Sequence, residues 1–492
     1  MKQADKLFVL LCAVVMAFPS FGQKRNIGKQ SGCEYVVLAS TAVKNDAAWM
    51  DVVDVLQEKH QAEVLFYNKT QRERLEELRC LRPRYVAIVE KPENLDVSVV
   101  VDIHCLSREV DEDIFEDFLW GIITGYDAVA AMKMVNNSIE PLVIKDAIAS
   151  ITELKSAKWF ERFGWVDDHT EKLWGEKTGA GQQVTTGTVS GQLIQTFVDL
   201  YTKYDPDLIV TASHATEWNL EMPYSDGTFT AKDGKLVANT NQGSKEIKNT
   251  GKRRVYFPVG NCLIGNVANS RESMAIAWMN GANAATMVGY VVPTWYGRAG
   301  WGGLKYWLTT PGRYTLAEAI FLNQQDLLNQ HNGWNPDFLK RKFPYRGYGA
   351  GLRNVLEMMT EDLGREPSLH EMGFWHDRDV LVYYGDPKWD VRLKEIPEES
   401  DFTVASKVKG NKCVITITTK ENFNLERMKG DHFKQEHVSD LPFSYFFPQR
   451  LNNPRLAKGQ NWKVALDENF LLIYNADLKP NQTYKVTLDI DK

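Results

Sequence analysis

The strongest constraint on this chain is an alternation near its start, where short apolar runs of strand length are separated by stretches of helical period. Residues 35–39, 62–67 and 85–89 are such runs. Between the first two, Trp49, Val52, Val53 and Leu56 recur at helical spacing, and residues 71–80 form a charged helical stretch. Strand–helix–strand order folds as a parallel sheet with crossover helices, because parallel neighbours need a long return connection. Residues 99–103 are predicted to add another strand. An acidic stretch over 109–117 precedes the run 118–125, and Ala128, Ala131, Met132 and Val135 then line one helical face.

Two later apolar runs end on chemically active residues. Leu208-Ile209-Val210-Thr211 leads through Ala212 and Ser213 to His214. Val255-Tyr256-Phe257-Pro258-Val259 leads through Gly260 and Asn261 to Cys262. Two parallel strands ending on one edge deliver both side chains to one crevice. An imidazole beside a thiol is enough for nucleophilic catalysis at neutral pH. Before His214, residues 179–191 read as a flexible loop and 191–203 as a helix. Between the two strands, residues 216–250 are polar and rich in Gly, Asn and Asp, which predicts a long irregular insertion. After Cys262, a helix over 272–280 stops at Gly281, and a strand over 284–292 empties into a loop over 295–303. The glycines of that loop permit close backbone approach, and Trp295, Tyr296 and Trp301 are candidates to wall a substrate pocket. Helical patterns occupy 315–330 and 354–363.

Past Tyr384 the texture changes. Residues 402–405, 413–418, 470–474 and 484–488 are short β-branched runs between turn residues, the pattern of a small Ig-like β-sandwich. The chain is therefore read as an α/β domain over 23–395, with a mostly parallel sheet flanked by helices, followed by an all-β domain over 396–492. Residues 1–22 read as an export signal: Lys2 and Lys6 precede an apolar stretch over 7–17 that is too short to span a bilayer, and Ser20-Phe21-Gly22 places cleavage before Gln23. No later run reaches membrane-spanning length. The expected location is outside the cytoplasm; periplasm, cell surface and medium stay open. A length of 492 residues accommodates two or three domains, and a formal net charge of −6 gives no electrostatic footprint for nucleic acid or an anionic membrane. Without Cys12, five cysteines remain: Cys33, Cys80, Cys105, Cys262 and Cys413. An odd count leaves at least one free thiol.

Four stretches, taken in order, resemble the gingipain-type family of cysteine peptidases in the caspase-like clan. They are Gly121-Ile122-Ile123-Thr124-Gly125 with its helix, the run ending at His214, Val259-Gly260-Asn261-Cys262-Leu263-Ile264-Gly265, and Tyr384-Gly385-Asp386-Pro387. Together they cover roughly residues 33–395. The resemblance implies a caspase-like fold and a protein or peptide substrate. Cys262 would be the nucleophile and His214 the general base and acid. Oxyanion-binding backbone would lie near Ala215, Gly260 and Asn261. The family usually has glycine directly after the histidine, where this chain has Ala215. Glu217 is either a third member orienting His214 or a surface carboxylate. Asp167 and Asp168 either select a basic side chain or are solvated. A structural calcium is possible by the same resemblance, although no contiguous loop has calcium-ligand spacing; no other cofactor is expected.

Other constellations fall away. His370 and His376 are six residues apart, which misses the i, i+4 spacing of a zinc helix. Gly179-Ala180-Gly181 lacks the lysine of a phosphate loop. His104 and Cys105, adjacent in one expected strand, would point to opposite faces. A second function class stands beside the peptidase: a non-catalytic relative that binds peptides, glycans or a partner protein. A hydrolase acting on a non-peptide acyl substrate is a third, because fold and dyad do not fix the substrate.

Overall fold

The computed structural model describes residues 33–151, 154–166, 172–222, 226–345, 350–396, 400–429 and 441–491. The expected export signal, Cys12, Asp167 and Asp168 lie outside these residues.

Among the described residues, twelve strands form one mixed sheet. Glu63–Tyr67, Tyr35–Ser40, Tyr85–Val89, Leu119–Ile123 and Leu381–Tyr384 lie side by side and run parallel. Leu381–Tyr384 then pairs antiparallel with Ala284–Tyr290. From there Ala284–Tyr290, Arg254–Pro258, Leu208–Thr211, Asp146–Ala149 and Arg162–Val166 run parallel in the opposite sense. Leu173–Lys177 and Thr185–Thr188 close the edge in antiparallel fashion. The parallel sheet with flanking helices expected from the alternation is thus present. Its central strands are mostly apolar because helices cover both faces; all five residues of Tyr85–Val89, Leu119–Ile123 and Arg254–Pro258 are buried, the one charge among them, Arg254, being paired with Asp205. Short polar caps start the crossover helices: Asp46 accepts from Ala48 N–H, and Asp127 from Ala130 N–H.

The C-terminal strands form two small antiparallel sheets, as expected. One is Phe402–Lys409, Lys412–Thr419, Thr483–Asp489 and Arg455–Leu456; the other is Phe443–Phe446, Phe470–Ile473 and Val464–Asp467. Cys413, Ile415, Ile417, Val486 and Leu488 of the first pack with Phe443, Tyr445, Leu471 and Ile473 of the second. Strand alternation turns Phe446, Phe470 and Leu472 the other way, into the core of the α/β body.

Four expectations are corrected. Residues 99–103 are not a strand: Val97–Ser107 is a helix, capped by Asp96, which accepts from Ser98 and Val99 N–H. A short apolar run does not distinguish a buried strand from a buried helix. His104 and Cys105 therefore sit on a helix, with His104 bonded to Glu116 at 2.6 Å and to the Leu381 carbonyl at 3.0 Å. Residues 216–250 are not irregular, since Asn219–Glu221, Thr228–Lys232, Lys235–Thr240 and Gly243–Glu246 form an antiparallel meander. Thr185–Thr188 puts a strand inside the expected flexible loop. Residues 295–303 are loop only to Gly297, and Arg298–Thr309 is a helix.

The Gly385-Asp386-Pro387 turn is a knot in the core. Asp386 is fully buried and accepts from Tyr35 at 2.9 Å, Lys59 at 2.8 Å and the Lys388 N–H at 3.0 Å; His60 Nε2 lies 2.7 Å away. Burial alone would raise its carboxyl; His60 and Lys59 outweigh that and hold it far below the ordinary carboxylate range.

Candidate functional site

The strand Leu208–Thr211 and the strand Arg254–Pro258 are parallel neighbours, with Thr211 opposite Pro258. His214 lies three residues beyond that pair and Cys262 four, so both leave the same edge of the sheet. Residues 215–220 turn back on themselves. Ala215 bridges Leu220, Thr216 N–H donates to Asn219 O, and Glu221 N–H donates to His214 O, each at 2.9 Å. In this pairing Ala215 N–H points outward, without an acceptor among the described residues. Its φ is not in the left-handed region, so alanine meets no conformational penalty there. No carbonyl among the described residues accepts from Cys262 N–H either.

The loop that carries Cys262 is strained where it turns. Leu263, the next residue, has φ 57°, a left-handed conformation that costs a side chain ~1–2 kcal/mol. Hydrogen bonds hold it there: Leu263 N–H to Val292 O at 3.0 Å and Asn266 N–H to Leu263 O at 2.8 Å. Such strain survives only where the surroundings over-determine it, and it clusters at functional sites.

Asn261 is fully buried and its amide reaches across the two loops. Thr211 Oγ1 donates to its Oδ1 at 2.6 Å, and its Nδ2 donates to the Ser213 carbonyl at 2.8 Å and to Ser213 Oγ at 3.2 Å.

The Cys262 thiol is half-buried. Its Sγ accepts from Thr294 N–H at 3.2 Å and lies 3.7 Å from Thr294 O. Burial pushes the thiol up, while the backbone and hydroxyl of Thr294 pull the other way. His214 is exposed, and no hydrogen bond joins it to Cys262 among the described residues. Thr294 is a contact that sequence reasoning missed, because nothing in the sequence ties its backbone to a sulfur thirty-two residues earlier.

The other expected site residues divide. The Glu217 carbonyl accepts from Met274 N–H at 2.8 Å, and its half-buried carboxylate has no bond to His214 among the described residues. Trp301 does reach the site: a Cβ placed on Gly260 would lie 3.2 Å from Ala212 Cβ and 3.5 Å from Trp301 Nε1. Tyr296 does not line an open pocket. It is 3% exposed, packs with Leu327 and Phe374, and bonds His370 through its hydroxyl. Trp295 is half-buried against Tyr296 and His376. The glycines after Trp295 serve packing rather than a ligand. A Cβ on Gly300 would sit 2.3 Å from the Val259 carbonyl, one on Gly302 2.1 Å from Asn323 Oδ1, and one on Gly303 2.4 Å from Ile320. The helix Arg298–Thr309 therefore presses directly on the loop that carries Cys262. Its Arg298 forms a fully buried pair with Asp326 at 2.5 Å, and Tyr474 of the all-β part donates to the same carboxylate at 2.9 Å.

A separate acidic group is a candidate cation site. Carboxylate oxygens of Asp111, Asp113 and Asp467 lie within 4.8 Å of one another. Asp117, 4% exposed, joins them with an Oδ2 that has no hydrogen-bond partner among the described residues. Burial first, then Asp111, Asp467 and Asp113, push the Asp117 carboxyl up to about 10. Burial and Asp113 likewise raise Asp467 well above the ordinary range. Hard oxygen donors that repel one another when ionised are what a calcium ion relieves. The sequence signal was Asp-x-Asp-x-x-x-Asp over 111–117; the fourth carboxylate comes from a strand more than 300 residues later. The five described cysteines are all free thiols.

No protein-family profile matches the sequence, and no curated protein matches it. Among solved structures, the chain is similar to the Arg-specific cysteine proteinase gingipain R, at 10% identity and a TM-score of 0.42, covering 95% of this chain and 93% of that one. It is similar to a complex of the pro- and mature domains of the Porphyromonas gingivalis protein RgpB, at 10% identity and a TM-score of 0.40, covering 93% of each chain. A structure described as a protease is similar at 9% identity and a TM-score of 0.37, over 79% of this chain and 85% of that one.

Proposed function

We propose that this chain is an exported cysteine endopeptidase that cleaves peptide bonds with Cys262 and His214. The observation that carries the reading is the placement of both residues just past the ends of adjacent parallel strands. Around them stand a left-handed turn at Leu263, the outward N–H of Ala215, and the Cys262 N–H, which no carbonyl among the described residues accepts. A thiol of ordinary pKa ~8.5 is mostly protonated at neutral pH. Cys262 Sγ turns from Thr294 toward His214, which takes its proton. The thiolate attacks the scissile carbonyl carbon, and the oxyanion forms where Ala215 N–H and Cys262 N–H converge. His214 then protonates the leaving amine. Water, deprotonated by His214, cleaves the acyl-enzyme and restores the thiol. Trp301 and the backbone at Gly260 wall the approach to the sulfur. Glu217 has no part in orienting His214 in this resting arrangement.

Asp111, Asp113, Asp117 and Asp467 would hold a structural calcium, supplying neutralising charge to the four carboxylates.

Hydrolysis of a mixed peptide library tests the assignment. The parent protein cleaves it, and Cys262→Ala abolishes cleavage while circular dichroism and melting stay the same. A fully active Cys262→Ala protein would contradict the reading. One observation favours a second reading, a non-catalytic binding protein: the sulfur rests on Thr294, not on an imidazole. In that case Cys262 would react no faster than an ordinary thiol.

A further inference from the structure

The residue before the proposed nucleophile carries a role beyond that of its backbone. The Asn261 side-chain amide donates to the Ser213 carbonyl at 2.8 Å and to Ser213 Oγ at 3.2 Å. The amide nitrogen is thus directed at Ser213. Its orientation is also fixed: turning the amide over would set Oδ1 against the Ser213 carbonyl, acceptor against acceptor. On the other side the Tyr256 hydroxyl lies 3.0 Å from Thr211 Oγ1, and Thr211 Oγ1 donates to Asn261 Oδ1 at 2.6 Å. Tyr256 stacks on buried Trp278 with ring centroids 3.8 Å apart. The chain of bonds thus starts in the core and ends on the peptide that enters His214. Beyond His214 the backbone is held again: Glu221 N–H donates to its carbonyl at 2.9 Å, and Ser213 Oγ donates to the Glu221 carbonyl at 2.5 Å. The exposed imidazole has no partner of its own among the described residues, so His214 is located through its main chain.

We propose that Asn261 is a positioning residue: through the Ser213 carbonyl its side-chain amide sets the distance and register of the His214 loop against the Cys262 loop. This inference rests on the peptidase reading above. Only a side chain with a donor and an acceptor on one planar head, short enough for the gap, makes these contacts. Aspartate supplies two acceptors, one facing a carbonyl; alanine supplies neither bond and leaves Thr211 Oγ1 and Ser213 O without their partner. Misplacing a catalytic group by ~1 Å costs up to about 10²-fold.

The test is a double-mutant cycle. Alkylation of Cys262 by iodoacetamide is measured from pH 5 to 9 in the parent, Asn261→Ala, His214→Ala and the double variant. The inference expects Asn261→Ala to lose ~10-fold or more of the parent's rate near pH 6.5 and to take on an ordinary thiol profile. In the His214→Ala background the same change has no further effect. Asn261→Asp behaves like Asn261→Ala. Thr211→Val, which leaves the bond to Ser213 in place, shows a smaller loss of the same kind and serves if Asn261→Ala fails to fold. An unchanged profile in Asn261→Ala overturns the inference. So does an equal loss in both backgrounds, which marks a merely structural side chain. A parent no faster than His214→Ala overturns the peptidase reading and takes the inference with it, a result distinct from the other two.

Discussion

Asp386 illustrates how one buried charge ties distant segments together. It is matched by Lys59, His60 and Tyr35 from the first crossover unit, more than 300 residues earlier. Asp386→Asn removes the charge and leaves Lys59 and His60 facing an amide. Breaking a buried pair from one side costs ~3–5 kcal/mol, so urea unfolding at neutral pH is expected to show a loss of that order, with circular dichroism otherwise unchanged. Because the native carboxyl is depressed, this stabilisation is present above the unfolded-state pKa near ~3.9 and disappears as pH falls through the native value. The difference between parent and variant therefore closes in acid. A loss below ~0.5 kcal/mol, the range of ordinary surface substitutions, would show that the knot is dispensable.

The strands that present His214 and Cys262 are legible in the sequence because they are buried on both faces. Leu208–Val210 and, after Arg254, Val255–Val259 are unbroken apolar runs closed by turn residues, so their ends, and the residues those ends deliver, can be read directly. The helix Val97–Ser107 is not legible, because Val99-Val100-Val101 reads as a strand until the Asp96 cap is weighed. The meander after His214 is hidden by its composition; only Leu220, Phe229, Leu236 and Ala238 are buried on its strands, so alternation is sparse. The glycines over 297–303 suggest room for a ligand, yet they let one helix touch the Val259 carbonyl. Gly300→Ala tests that placement. Its Cβ would need space 2.3 Å from Val259 O, and such overpacking costs ~1–3 kcal/mol. The expected result is a lower melting temperature together with altered Cys262 alkylation, because the helix backs the loop that carries Cys262. A destabilised protein with unchanged alkylation would detach the helix from the site.

The acidic group joins the α/β body to the all-β part, because Asp111, Asp113 and Asp117 precede the strand Leu119–Ile123 while Asp467 ends Val464–Asp467. Asn469 Nδ2 donates to the Asp117 carbonyl at 3.0 Å across the same seam. With Asp117 raised to about 10, the folded chain keeps a proton that the unfolded chain releases near ~3.9. Stability without a divalent cation is therefore expected to fall as pH rises from 5 to 8. Asp386 stays ionised throughout that window and does not offset the trend. Calcium is expected to reverse it, raising the melting temperature more at pH 8 than at pH 5. Asp117→Asn should raise the melting temperature in chelator and shrink the calcium shift. A melting temperature indifferent to calcium at both pH values would contradict the cation assignment.

His214 and Cys262 leave adjacent parallel strands at one edge of the sheet. The pH dependence of Cys262 alkylation by iodoacetamide, compared between the parent and His214→Ala, probes that arrangement. The account predicts fast modification that persists well below pH 8 in the parent and is lost in the variant. Slow modification with the pH profile of an ordinary thiol in both proteins would contradict it and leave the sulfur as the resting partner of Thr294.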